Sequence, residues 1–307
     1  KKLGVCEGSV RRRVNRAKAT AAKQGWAPDH DMTKVVPDGF QVKGTSTLYD
    51  EDGKQRLQWV ITNQDRQRQI EIMQEAIQAF GEKLPKEKPV KAPKKSNSEL
   101  LSCYVLTDYH LGMLSWHEET GENWDMRLAE DMLFQWFAEA IQSAPNSEQA
   151  VFAQLGDALH WDGLDAVTPN NRHILDADTR FQKLVRVAIR AFRRIVRDLL
   201  KKHKYVHLIM AEGNHDPASS IWLREWMSAL YENEPRVTVD IQADPYYCVE
   251  HGQTSLFFHH GHIKKTTDVD SVFVGKFRDV FGRTRHSYAH LGHRHNQQIR
   301  ETNLMIV

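Results

Sequence analysis

Five short polar clusters recur along the chain: Asp108-Tyr109-His110, Gly156-Asp157, Gly213-Asn214-His215-Asp216, His260-Gly261-His262 and Gly292-His293-Arg294-His295. Each follows an apolar stretch. One aspartate, asparagine or histidine in such a place is readily satisfied by neighbouring backbone. Five in order are not explained that way, because collecting so many carboxylates and imidazoles at one edge is costly without cations. Oxygen and imidazole donors without thiolate suit Mn²⁺, Fe²⁺ or Zn²⁺. A carboxylate has two oxygens and can bridge two ions. The glycines before Asp157, Asn214 and His293 let backbone pass close to such a site and adopt unusual dihedrals.

The elements that must position these clusters form an alternating pattern. Leu100–Thr107, Ala150–Leu155, Tyr205–Met210, Val237–Ile241, Tyr246–Glu250, Ser255–His259 and Ser287–Leu291 read as strands. Met126–Ser143, Thr179–Lys202 and Ser220–Tyr231 read as helices. The fold class is therefore α/β (α+β), a layered domain with polar clusters at strand ends, the edge where open α/β sheets bind ligands.

Residues 82–98 carry prolines at 85, 89 and 93 among lysines and read as a semi-rigid linker. It separates a module over 1–81 from a larger domain over 99–307. In the module, 8–24 reads as a helix bearing Arg11, Arg12, Arg13, Arg16, Lys18 and Lys23, closed by Gly25 and Pro28. Thr45–Tyr49 and Gln55–Ile61 read as a hairpin turning at Asp52-Gly53, with Leu57, Trp59 and Ile61 on one face. Residues 63–80 read as a helix with an Ile70, Met73, Ile77, Phe80 stripe. This small basic α+β unit has the outline of a helix-turn-helix or winged-helix nucleic-acid binder; the alternative is a solvated helix that docks on the body or on another subunit.

The 307 residues carry 42 basic and 40 acidic side chains, for a net charge of +2. Residues 1–95 hold +8 of charge and residues 96–307 hold −6. A basic front on an acidic body points to a polyanionic partner for the front and to cations on the body. No apolar run reaches the roughly 18 residues of a membrane helix, which excludes an integral helical membrane protein. No secretory signal is read in the first residues. Cys6, Cys103 and Cys248 are far apart, which argues against a disulfide scaffold or cysteine zinc site and fits a reducing, cytoplasmic compartment.

The ordered set Asp-x-His, Gly-Asp, Gly-Asn-His-Asp, His-Gly and Gly-His-x-His resembles the signature of the calcineurin-like metallophosphoesterase superfamily, over about Leu100 to Val307. The resemblance implies a β-sandwich flanked by helices. It also implies two divalent ions, Mn²⁺ first, with Fe²⁺, Zn²⁺ or Mg²⁺ as alternatives. Asp108, His110 and His295 would hold the first ion; Asn214, His260 and His293 the second; Asp157 would bridge them. His215 would contact the phosphate and assist an in-line attack by a metal-bridged hydroxide, and Asp216 would orient His215 through a hydrogen bond. In the run His259-His260-Gly261-His262, the family's His-Gly pattern selects His260, and strand alternation sends His259 to the opposite face.

The flanks of the first two motifs, Asp108-Tyr109-His110-Leu111-Gly112 and Gly156-Asp157-Ala158-Leu159-His160, are similar to those of the SbcD-type DNA nucleases. That similarity implies that His160 helps place the DNA backbone. The third motif ends in Asp216, as theirs does, where phosphoprotein phosphatases usually carry glutamate. The implied activity is a nuclease acting on DNA. The alternatives are a phosphomonoesterase or small-nucleotide phosphodiesterase whose front module binds protein, and a non-catalytic scaffold. The 161–177 loop offers Arg172 and His173 as phosphate contacts. Trp116, Trp124 and Trp161 read as base-stacking or as core residues. The cations of the long helix (Arg186, Arg190, Arg193, Arg194, Arg197, Lys201) read as a solvated face or as a phosphate track, with the solvated face preferred. A homo-oligomeric state is left open.

Overall fold

The computed structural model describes residues 7–33, 36, 40–64 and 90–307. The helix expected over 63–80, Cys6 and the first half of the linker fall largely outside them. The chain divides into two compact units, Lys1–Pro85 and Lys86–Val307.

In the first unit, α1 (Glu7–Lys23) carries its arginines into solvent and ends at Gly25, whose φ of 88° is the left-handed conformation that closes a helix. Strands β1 (Phe40–Tyr49) and β2 (Gln55–Gln64) pair antiparallel, with Leu48 opposite Leu57 and Ser46 opposite Trp59. Asp50 closes the turn: its Oδ1 accepts the Lys54 N–H at 2.8 Å, while Gly53 sits at φ 73°. The first strand is longer than predicted because a register shift between Val42 and Gly44 interrupts the alternation that marks a strand.

The second unit holds two sheets. Strands β3 (Asn97–Leu106), β4 (Ser147–Gln154), β5 (Tyr205–Met210) and β6 (Val237–Val239) are parallel, in that spatial order. In the other sheet β7 (Tyr247–His251) and β8 (Thr254–Phe258) form a hairpin, and β9 (His286–His290) lies parallel to β8. Alternation along β4 explains the layering. Val151 and Ala153, with Leu155 just beyond, pack with Ile209, Ala211, Tyr247 and Phe258 between the sheets. Ala150 and Phe152 face the other way, against helices. Both faces are covered, which is why the strand reads as one apolar run.

The helices on that outer face are α3 (Met126–Ser143), α4 (Phe181–Lys202) and α5 (Pro217–Leu230); a single turn, α2 (His117–Thr120), precedes them. On the far side of the second sheet, Val269 and Phe273 of α6 (Val269–Lys276) pack on Phe257 and Ala289. Then follows α7 (Arg278–Arg283). These two short helices have no clear sequence signal, since Val269-Asp-Ser-Val-Phe-Val is β-branched and too short to show a helical period. Among the described residues no helix is long and apolar enough to cross a membrane.

Most of the cations named on α4 are engaged by the protein's own surface. Arg190 pairs with Glu130 at 2.9 Å, Arg194 lies over the Phe134 ring at 3.9 Å, and Lys201 meets Asp198 at 2.6 Å. Arg193, expected on the solvated side, is buried. This pairing favours the solvated-face reading over a phosphate track. Cys103 and Cys248 are free thiols whose burial pushes both up to about 12, so they are inert packing groups.

Arg236 closes the bottom of the unit. Its guanidinium donates to the carbonyls of Leu200, His203, Lys204 and Val90, tying the last turn of α4 to the segment that enters β3. Arg236→Met would leave four carbonyls without these donors. A loss of about 2–4 kcal/mol is expected, read as a lower urea midpoint with unchanged slope. An unchanged midpoint would show that the clamp is dispensable.

Candidate metal centre

The five clusters meet in space. Asp108 follows β3, Asp157 follows β4, Asn214 follows β5, His260 follows β8 and His293 follows β9, so both sheets deliver their parallel C-terminal ends to one place. Among the described residues, three groups of donor atoms each lie within 4.8 Å of one another: Asp108, His110 and His295; Asp157, His260 and His293; and His110, His160 and His215.

In the first group, His295 Nε2 lies 3.1 Å from Asp108 Oδ1 and 3.4 Å from His110 Nε2. The other Asp108 oxygen accepts the Thr107 hydroxyl at 2.7 Å and the His293 N–H at 2.8 Å, which locks the first cluster to the last. In the second group, His260 Nδ1 donates to the Leu155 carbonyl at 2.8 Å, because a carbonyl only accepts. The remaining nitrogen, Nε2, lies 3.2 Å from Asp157 Oδ2 and 3.1 Å from Asn214 Oδ1, so two oxygens converge on it. Burial lowers the His260 imidazole, but the hydrogen bond and charge of Asp157 outweigh it and raise it, so a proton on Nε2 satisfies these oxygens, and a cation can take that proton's place. The residues present therefore fit a metal ion. Asp157 Oδ1 accepts the His215 N–H at 2.7 Å, and the donor atom of Asp157 groups with the second set rather than the first.

The backbone is bent to make this possible. Asp108 (φ 51°), His110 (49°), Asp157 (51°), His293 (70°) and His295 (49°) are left-handed, a conformation each side chain resists and tight surroundings must enforce. The glycines supply the room. A Cβ on Gly213 would overlap the Asp157 carboxylate, and one on Gly292 would overlap Thr107 and Asp108.

Burial sets the charge states. Burial pushes the Asp157 carboxyl up, but the hydrogen bonds and charge of His260 and the His215 N–H outweigh it and hold it at about 2. His110 and His160 are each depressed to about 4, chiefly by burial; neighbouring imidazoles add to it and the Asp157 charge opposes it. Asp216 is raised to about 7 by burial and by the Asp157 charge.

Asp216 does not orient His215. Its carboxylate accepts the backbone N–H groups of Asp157 (3.0 Å), Gly213 (3.1 Å) and Leu159 (3.0 Å), so it clamps the second motif to the third. The His215 ring is held by the His160 carbonyl, 3.0 Å from Nδ1. The expectation failed because chain adjacency says nothing about direction: Asp216 is the N-cap position of α5 and turns toward the backbone of the neighbouring loop.

His259 does face away from the centre, stacked on Tyr246 at 4.2 Å. His262, beside it, has a buried Nδ1 with no partner. Arg172 and His173 stay within their own loop: Arg172 pairs with Asp165 at 3.2 Å and the His173 N–H donates to Thr168. Trp161 is a core residue, Trp124 packs edge-on to Tyr109, and Trp116 is half exposed. One structural group, Asp162, carries no sequence signal for its role. It accepts the Ala218 and Ser219 N–H groups at 2.6 and 2.7 Å and so caps, from across the loop, the helix that follows Asn214 and His215. No spacing rule links 162 to 218.

No family model matches the chain, and no curated protein does.

Proposed function

We propose that this protein is a metal-dependent phosphodiester hydrolase of the calcineurin-like metallophosphoesterase type that acts on DNA. The observation that carries the reading is the convergence of all five ordered clusters on one centre, with His260 Nε2 aimed at two oxygens. Asp108, His110 and His295 would hold one divalent ion, and Asn214, His260 and His293 the other, with Asp157 between them. Mn²⁺ suits this donor set. Such ions, when bound, activate water and draw charge from phosphoryl oxygens.

The chain's own residues supply the rest. With Nδ1 held by the His160 carbonyl, His215 keeps Nε2 for the substrate, and its ring meets the His110 ring edge-on at 4.7 Å. Protonated, that nitrogen donates to a phosphoryl or leaving oxygen. The second unit carries the chemistry. The exposed arginines of α1, with Arg13, Arg16, Thr20 and Gln24 lining a shallow concavity, offer a surface for nucleic-acid phosphates.

A substrate panel tests this reading. A nitrophenyl phosphodiester, its monoester, plasmid DNA and single-stranded DNA would each be incubated with Mn²⁺ and with chelator. Diester and DNA cleavage that needs Mn²⁺ is expected. Turnover of the monoester alone moves the protein to the phosphomonoesterases, and no turnover on any substrate leaves a binding scaffold.

A further inference from the structure

We infer that His160 is a positioning residue which fixes the ring nitrogen that His110 and His215 each present to the centre. The inference deepens the metallohydrolase reading and rests on it. It also differs from the DNA-backbone contact that the motif flanks imply for His160.

Two hydrogen bonds carry it. The His160 carbonyl lies 3.0 Å from His215 Nδ1. A carbonyl has no proton to give, so Nδ1 of His215 is the protonated nitrogen and Nε2 is left with the lone pair. The His160 ring lies with its Nδ1 3.3 Å from His110 Nδ1. Of two facing ring nitrogens, one donates and the other accepts. His110 Nε2 lies 3.4 Å from the His295 Nε2 that meets Asp108, within the first group, and it can serve a cation only as a lone pair. The proton of His110 therefore sits on Nδ1, and His160 Nδ1 is its acceptor. One residue supplies both acceptors, its ring to a metal-ligand histidine and its main chain to the substrate-facing histidine.

The placement is rigid enough for that task. His160 is 7% exposed, its N–H donates to the Leu111 carbonyl at 3.1 Å, and its ring stacks on His215 with 15° between planes. The His110 ring meets it edge-on at 81°. Orienting partners of this kind typically alter metal affinity by about 10–100-fold when removed.

Because the two acceptors differ in kind, substitution separates them. His160→Leu removes the ring acceptor and keeps the carbonyl. His160→Asn restores a side-chain acceptor. The readouts are Mn²⁺ binding by calorimetry and the protonated nitrogen of each ring by ¹⁵N NMR of the full, metal-free chain. In the wild type, His110 and His215 are both expected as the Nδ1–H form. In His160→Leu the preference of His110 is expected to be lost while that of His215 persists. One Mn²⁺ site should weaken by about 10–100-fold, and His160→Asn should recover most of that affinity. A wild-type His110 protonated on Nε2 overturns the inference without any variant. So does a His160→Leu protein that binds both ions as the wild type does. Wild-type protein with the expected ring protons and no Mn²⁺ binding would sink the metallohydrolase reading instead.

Discussion

Asp157→Ala is expected to abolish Mn²⁺-dependent diester hydrolysis, with a loss well beyond the roughly 100-fold seen when a group that merely supports a ligand is changed. Three functions leave together. The carboxylate stands with His260 and His293, accepts the His215 N–H at 2.7 Å, and faces the one His260 nitrogen not committed to the Leu155 carbonyl. Its charge is also fixed: held at about 2, it is anionic throughout the working range, and it is the buried negative charge at the heart of the second group. Asp157→Asn separates shape from charge. The amide keeps the volume and an oxygen but loses the anion, so it too should fail and should bind less Mn²⁺ by metal analysis. Melting curves confirm that either variant is folded. Undiminished turnover in a folded Asp157→Ala protein would refute the assignment of this centre.

The chemistry of the site was more legible in the sequence than its support. Every candidate ligand sits directly after a strand whose apolar residues announce it, and parallel strands put their C-terminal ends on one side. Order along the chain therefore became proximity in space for Asp108, Asp157 and Asn214. His260 and His293 joined them because the second sheet packs face to face on the first through Phe258 and Tyr247, a tertiary fact that strand periodicity alone does not show. What periodicity could not show was which way the polar side chains turn. Asp216 caps backbone instead of touching the adjacent His215, and Asp162 reaches a helix that begins 55 residues later. Both are directional hydrogen bonds settled by loop geometry. In the front unit, the alternation of Leu57, Trp59 and Ile61 did mark a strand, but these side chains are about half exposed, so among the described residues the pattern marks no core.

Chelated protein is expected to lose stability steeply between pH 7 and pH 5. His110, His160 and His262 are depressed to about 4 and His259 to about 3, in each case first by burial. The sign follows from which state binds protons. Below the ordinary imidazole value of 6.5 the unfolded chain takes up protons that these buried rings refuse. Stability is thus fully present above pH 6.5 and is lost as the pH falls toward 4. Each fully shifted ring contributes a slope of roughly 1.4 kcal/mol per pH unit. Four of them together can consume much of the roughly 5–15 kcal/mol that keeps a domain folded. Asp216 works in the opposite direction. Raised to about 7, its carboxyl favours the folded state at low pH and withdraws that stability as the pH rises from its ordinary value through 7. His260 acts in the same sense as Asp216, because the hydrogen bond and charge of Asp157 outweigh burial and raise it; these two oppose four depressed imidazoles, so the net slope belongs to the depressed rings. Urea midpoints in chelator at pH 7 and pH 5 measure it directly. A midpoint that holds or rises on acidification would mean that Asp216 and His260 outweigh the four depressed rings.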